Sequence, residues 1–340
     1  MRIIIHIGTE KTGTTSIQQA LSIDRSLLAG RGILYPKLFG SENHMEVAVA
    51  AMEARADDEL QMIELKRQNC SHADYVNKLR AQLRDEVESG DYSTLLISNE
   101  HCHSRLTLHE NIEMLRNIFE AFATSFDIVV YLRRQDRLAL SYHSTRLKLG
   151  GLEDIFPVND GGSLPLYFNF NDLLERYAHG FGAENITARI YERSLLLNEN
   201  VVDDFYYSAA LGGSPSVRPH ANEALSGKQA LFLEWFNRKF PLVLDGKINS
   251  ARGDIFSVIS NVGLGDPFLP SRGSAQTFYS RFHEENRKVR DKYFSNFSRK
   301  TLFDESFDEY PLLQSNLGLS FEETMLFVAE IWTYYGGEVR

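Results

Sequence analysis

The chain has 340 residues, 43% of them hydrophobic and 24% charged, enough to bury a full core as one large domain or a domain with an appended lobe. Its 36 Lys and Arg against 46 Asp and Glu leave a net charge of −10, which argues against a sequence-independent nucleic-acid binder but not against a small anionic ligand held by a few focused cations. No run of about 18 apolar residues could span a membrane, no signal-type leader precedes the first strand, and Cys70 and Cys102 cannot build a disulfide framework, so a reducing, cytoplasmic setting is expected.

The pattern from Ile3 to Ala20 opens the chain. Ile3-Ile4-Ile5-His6-Ile7 reads as a buried strand of mostly β-branched residues. It stops at Gly8, and a Thr/Gly-rich loop follows. From about Thr14, Ile17, Ala20, Leu21 and Leu28 recur at helical spacing. Strand, glycine loop and helix together aim backbone N–H groups and a helix N-terminus at one anion.

A second strand is predicted at Gly32–Pro36, a long helical section over residues 42–88, and a third strand at Thr94–Ser98 running into Asn99-Glu100-His101-Cys102-His103. Ile112, Leu115, Phe119 and Phe122 mark a helix. Phe126–Leu132 is a fourth strand ending at Arg133-Arg134, with another helix behind it. The glycine-rich residues 150–168 read as an exposed excursion. A helix near Leu173, a strand at Ile186–Tyr191 and a helix from Val201 to Leu211 continue the alternation, with Phe205-Tyr206-Tyr207 read as core. Beyond Gly212 only helices are expected, at Leu225–Phe240, Phe278–Phe294 and Phe321–Tyr335. Strands alternating with helices imply an α/β fold: a P-loop NTPase-like parallel sheet flanked by helices, with a helical C-terminal part. The whole of 1–340 is read as one domain, with 1–211 as its α/β core and 212–340 as the helical part.

Ligands in such sheets sit beyond the carboxyl ends of the strands. Three strand ends carry polar groups here: residues 8–15, 99–103 and 133–141. The run from Gly8 to Thr15 matches G-x-x-x-x-G-K-[ST] except that Thr14 replaces the lysine that reaches the β- and γ-phosphates. The lysine is at Lys11, inside the loop. No apolar run ends in an aspartate suited to hold Mg²⁺, so neither a triphosphate nor a metal is expected. Arg133 and Ser141, a guanidinium and a hydroxyl, suit a second phosphate, although Arg133 could instead pair with Asp136. Two phosphate sites at separate strand ends point to a nucleotide phosphorylated at two positions. His44 reads as a cap or an acceptor contact, and Arg189 and Arg193 as a solvated face or contacts to an anionic acceptor.

The segment Glu10–Gln18, EKTGTTSIQ, resembles the 5′-phosphosulfate loop of sulfotransferases, and Tyr131–His143, YLRRQDRLALSYH, resembles their 3′-phosphate motif. The likeness is greatest to bacterial, carbohydrate-type members. It implies that 3′-phosphoadenosine 5′-phosphosulfate is the co-substrate. Thr9, Lys11, Thr12, Gly13, Thr14, Thr15 and Ser16 would hold its phosphosulfate, and Arg133 and Ser141 its 3′-phosphate. Many relatives have Asn-Pro after the first arginine, where this chain has Arg134-Gln135. Ser271-Arg272-Gly273 is the candidate for the family's late loop that closes on the 3′-phosphate.

The resemblance also implies in-line transfer of a sulfuryl group to a hydroxyl, on a saccharide or glycoconjugate, with Lys11 stabilising the leaving phosphate. Glu100 is the expected base, with His103 and His101 as competitors. Strand-like alternation would put Glu100 and Cys102 on one side and the two histidines on the other. Consecutive residues cannot all face one ion, so no metal site is read there. Two other readings stay open: a P-loop kinase-type phosphotransferase, and a nucleotide-binding relative without catalysis.

Overall fold

The computed structural model describes residues 1–38, 42–53, 58–159, 163–219, 225–244, 247–260, 262, 265–313 and 318–336. β1 (Arg2–His6) leads through the glycine loop to α1 (Thr14–Ile23), followed by α2 (Arg25–Ala29) and the short β2 (Ile33–Leu34). The long helical section resolves into α3 (Met45–Ala51), α4 (Glu59–Gln68) and α5 (His72–Glu88). Next come β3 (Thr94–Ser98), α6 (His101–Arg105), α7 (His109–Phe119), β4 (Ser125–Leu132) and α8 (Gln135–Lys148). α9 (Phe170–Phe181), β5 (Ile186–Ile190) and α10 (Val201–Ser208) complete the alternation. The C-terminal part holds α11 (Gly227–Lys239), a hairpin of β6 (Val243–Leu244) and β7 (Lys247–Ile248), α12 (Ile255–Ile259), α13 (Arg272–Ser280), α14 (His283–Tyr293) and α15 (Phe321–Tyr334).

The protein is thus a mixed α/β chain with a five-stranded parallel sheet flanked by helices and a helical C-terminal part, as the alternation predicts. The chain divides into two compact units: residues 1–133, 166–221 and 284–303 form the first, and residues 134–165, 222–283 and 304–340 the second.

In the first unit the strand order is β2-β3-β1-β4-β5, with β1 pairing β3 on one side and β4 on the other. Ile3 to His6 are buried without remainder, as a central parallel strand covered on both faces must be. On one face Ile4, Leu96, Val129 and Tyr131 meet Ile17 and Leu21 of α1 and Val202 and Phe205 of α10. On the other, α9 lies against β4 and β5, where the Phe126 and Phe181 rings are 5.1 Å apart. Because β1 sits between its two neighbours, the loop leaving it opens at the point where successive connections run to opposite sides of the sheet.

In the second unit, Phe232, Leu233, Ile255, Ile259 and Phe327 form the core with Leu147 of α8. Arg134 is buried there, bonded to Asp136 at 2.7 and 2.9 Å and to Glu309 at 2.9 Å, over the Phe307 ring at 4.1 Å. Tyr310 donates to the same Asp136 at 2.7 Å.

The structure corrects several readings. The stretch past Gly212 is not purely helical, because Val243–Leu244 pairs with Lys247–Ile248; two residues a strand are too few to show an alternation. The helix read as Phe278–Phe294 divides at Arg281 and Phe282, with no proline or glycine to announce the break. Phe205 and Tyr206 are core, but Tyr207 is 70% exposed. It falls on the outward face of α10 between two inward positions.

A buried carboxylate fastens α10 to the sheet. Asp204 accepts from Tyr131 at 2.7 Å, from the Leu197 N–H at 2.9 Å and twice from Arg189. Burial pushes its pKa up, but the Arg189, Leu197 and Tyr131 donors outweigh it and hold the carboxyl below its ordinary value. A depressed carboxylate stabilises the fold above its unfolded pKa, and that contribution is lost as pH falls through the folded one. We therefore expect the urea midpoint of the parent to drop as pH is lowered below about 4, and Asp204→Asn to flatten that slope while lowering the neutral-pH midpoint. An unchanged slope in Asp204→Asn would contradict this account.

Candidate active site

The chain does not leave the sheet when β1 ends. The Tyr131 N–H donates to Gly8 O at 2.7 Å, and Tyr131 O accepts from the Thr9 N–H and from Thr9 Oγ1, both at 3.0 Å. Thr12 Oγ1 donates to Thr9 O at 2.6 Å. The two buried threonines thus use their hydroxyls to lock the loop's own backbone. Lys11 and Gly13 both take the left-handed conformation, at φ +64° and +78°, which tightens the loop over α1. A Cβ on Gly13 would come within 2.7 Å of the Val201 side chain, so any other residue there would have to push Val201 aside in addition to adopting the left-handed backbone. Gly13 brings no capping side chain, and the first-turn N–H groups of α1 are left to an anion. Thr14 and Ser16 are buried in that turn and Thr15 is exposed.

Two cations flank the loop. Arg133, one residue past β4, donates to Lys11 O at 2.8 Å, and its guanidinium lies 5.7 Å from the Tyr191 ring centre. Lys11 is pulled below its ordinary pKa first by burial and then by Arg133, with Glu10 and Glu100 opposing. A bound anion would relieve both effects.

Glu100 stands across the loop, its Cβ 3.3 Å from where a Gly8 side chain would begin. Gln18 Nε2 donates to Glu100 Oε2 at 2.6 Å. The alternation argument for this segment fails, because β3 ends at Ser98 and His101–Arg105 is helical. Glu100 occupies the cap position of α6 but makes no capping bond; Asn99 Oδ1 accepts from the His101 N–H at 2.9 Å instead.

The two histidines have different surroundings. His103 is buried, with Nδ1 3.4 Å from the Glu10 N–H and Nε2 2.9 Å from Tyr167 O. One neutral tautomer satisfies both contacts, Nε2–H donating and Nδ1 accepting, and burial pushes its pKa down to about 4. His101 is half-buried, its Nδ1 3.8 Å from Glu10 Oε1. Glu10 also accepts from Tyr167 Oη at 2.9 Å. Burial raises the Glu10 pKa, yet His101, His103 and Ser104 bring it down to about 2. It is therefore a fixed negative charge inside the glycine loop. Among the described residues no group of three or more His, Cys, Asp and Glu side chains is arranged to hold a metal ion.

The structure thus brings Thr9, Lys11, Thr12, Gly13, Thr14, Ser16, Arg133, Glu100 and His103 around one loop of the first unit. Ser141 lies in the second unit, half-buried on α8. It is Arg134, not Arg133, that pairs with Asp136. Arg189 is engaged by Asp204, and Arg193 is exposed beside Glu199 at 3.1 Å. His44 is buried structural material, accepting from the Ser98 N–H at 3.1 Å and bonded to Pro36 O at 2.9 Å. Ser271 caps α13, and Arg272 is bonded to Tyr310 O and Asp308 O, both at 3.3 Å.

Sequence reasoning missed Glu10, Gln18, Tyr167 and Tyr191. Gln18 was legible in principle, since it falls one turn after Thr14 on the same face of the helix. Tyr167 lies in the irregular excursion, where no periodicity speaks for any residue.

We expect Gly13→Ala to cost about 1–2 kcal/mol for the left-handed backbone alone, plus the collision with Val201. Denaturation should report the loss of stability, and titration with inorganic pyrophosphate a weaker anion site. Parent-like values in both would show that the loop tolerates a side chain there.

No family model matches the chain, and no curated protein matches it. A solved structure, the sulfotransferase domain from the curacin biosynthetic pathway, is similar over 76% of this chain and 96% of that domain, at 12% identity and a TM-score of 0.33. A likeness that slight carries no argument about activity.

Proposed function

We propose that the protein is a sulfotransferase that moves a sulfuryl group from 3′-phosphoadenosine 5′-phosphosulfate to an acceptor hydroxyl, on a saccharide or glycoconjugate. The observation that carries this reading is the loop itself. An uncapped helix N-terminus, Lys11 and Arg133 converge on it, while Thr14 stands where a triphosphate-binding loop needs its lysine.

In this reading the acceptor oxygen forms a bond to sulfur while the bond from sulfur to the bridging phosphate oxygen breaks. Adenosine 3′,5′-bisphosphate departs, and the acceptor proton passes to Glu100. Lys11 and the α1 N-terminus stabilise the charge that grows on the leaving phosphate. Arg133 is assigned to the nucleotide's 3′-phosphate, for which a rigid guanidinium fork is suited. Glu100 is favoured over His103 as base because both ring nitrogens of His103 are engaged. His103 then acts as a positioning residue for Glu10 and Tyr167. His101, whose backbone rather than ring is tied to Asn99, is the competitor that mutation must eliminate.

Calorimetric titration with adenosine 3′,5′-bisphosphate tests the reading: saturable binding, much tighter than that of ATP, is expected. No saturation, or ATP binding equally well with Mg²⁺, would overturn it and favour a phosphotransferase. With a generic sugar acceptor and labelled donor, Lys11→Ala should lose on the order of 10²-fold or more in turnover. Glu100→Gln should lose about 10²–10⁴-fold and keep its bisphosphate affinity. Parent-like turnover in Glu100→Gln would move the base to His101.

A further inference from the structure

Glu10 has no part in the proposed transfer, yet its carboxylate and the His101 ring are placed for each other beside the glycine loop of the first unit. His101 Nδ1 is out of solvent and makes no hydrogen bond, and Glu10 Oε1 stands 3.8 Å from it. That is an ion-pair distance and long for a hydrogen bond. Rotation of the ring about its soft χ2 torsion can close it. Contacts of this kind are often long without ligand and tighten in the complex.

The other carboxylate oxygen is already fixed. Tyr167 Oη donates to Glu10 Oε2 at 2.9 Å, and the Tyr167 carbonyl is held by His103 Nε2, also at 2.9 Å. His103 Nδ1 in turn faces the Glu10 N–H at 3.4 Å. Glu10 is thus gripped at its backbone and at one carboxylate oxygen, with the second oxygen left toward His101. A carboxylate so supported fixes the orientation and tautomer of an imidazole.

The consequence lies across the ring. The His101 side chain is 26% exposed; with Nδ1 covered, that exposure belongs to the rest of the ring, where Nε2 has no hydrogen-bond partner among the described residues. A carboxylate at Nδ1 keeps the proton on that nitrogen, and the neutral ring then offers a lone pair at Nε2. His101 directly follows Glu100, so this lone pair is carried about 3.8 Å of backbone from the proposed base. It can serve only a group that brings a proton to share. A lone alcohol or a phenol has one hydroxyl, which Glu100 takes. A sugar or other polyol has a second beside the first.

We infer that Glu10 is a positioning residue that holds His101 by its Nδ1–H, so that Nε2 accepts a hydrogen bond from a second hydroxyl of the acceptor and the site selects polyols over lone alcohols. The choice of acceptor rests on the sulfuryl-transfer reading; the pairing of Glu10 with His101 rests on geometry alone.

Two measurements test the two parts. Nitrogen-15 spectra of histidine-labelled protein, with His101 assigned from His101→Phe, should show the neutral ring as the Nδ1–H tautomer. Tyr167→Phe should keep that tautomer, and Glu10→Leu should shift it toward Nε2–H. A parent ring in the Nε2–H form, or a Glu10→Leu ring unchanged from the parent, would overturn the pairing, and this arm needs no nucleotide. With labelled donor, the parent should use cis-cyclohexane-1,2-diol on the order of tenfold better in kcat/KM than cyclohexanol, the weight of about one hydrogen bond. His101→Phe should bring the two alcohols close together, mainly through the KM of the diol, at parent-like affinity for adenosine 3′,5′-bisphosphate. A parent that binds the bisphosphate but shows no preference, or uses neither alcohol, or a preference that His101→Phe retains, would overturn the selection of polyols. Failure of the parent to bind the bisphosphate would overturn the sulfuryl-transfer reading and the acceptor part with it, and the tautomer would still judge the pairing.

Discussion

The site depends on a backbone exchange just past the end of β1. Tyr131 gives its N–H to Gly8 and takes the N–H and the hydroxyl of Thr9, so the loop is held as if the sheet continued. The same residue sends its ring across the core, where Asp204 accepts its hydroxyl and is in turn gripped by Arg189. Two residues later on β4's trailing end comes Arg133, which donates to Lys11 O. One strand end thus fixes the loop's path from below and supplies the cation beside it. A glycine loop with no such attachment would lose conformational entropy on binding an anion; this one has already lost it in folding, largely through hydrogen bonds whose donors and acceptors are buried.

Much of this was legible in the residues. Ile3 to Ile7 reads as a buried strand, which the structure places at Arg2–His6, and the change to helical spacing after Thr14 placed the loop between strand and helix. Thr94–Ser98 was read to the residue, because β-branched and aliphatic side chains run uninterrupted between polar boundaries. Side-chain allegiance was not legible. Arg133 and Arg134 are adjacent and chemically identical, and Asp136 lies near both in sequence. The structure buries Arg134 against Asp136 and Glu309 and leaves Arg133 to the loop, a division set by which way each residue points as the strand ends. His103 was likewise opaque: its sequence neighbours say nothing of the Tyr167 carbonyl, 64 residues on, that occupies its Nε2.

If the loop holds an anion as proposed, it must do so beside an acid. Glu10 is enclosed by His101, His103 and Tyr167, so its charge is absorbed by a neighbouring network instead of being projected at the ligand. Burial would ordinarily neutralise such a carboxyl; the donors around it win. The two cations beside the loop, Lys11 and Arg133, thus keep an acid as their near neighbour. No direct bond from it to either is needed to hold the loop's path, which Tyr131 and Arg133 fix through backbone atoms. In the proposed reading, attraction for an anion comes from the oriented N–H groups and the two cations, in a chain that is acidic overall.

The Gln18–Glu100 bond has a mechanical meaning. Gln18 is one turn into α1, about 6 Å along the axis from Thr14, and α1 is the helix whose first turn is proposed to face the leaving phosphate. The group proposed to leave and the carboxylate proposed to take the proton are therefore registered against a single rigid rod. If that rod shifts when ligand enters, both ends of the chemistry travel with it, and the spacing between them is conserved by the stiffness of one helix.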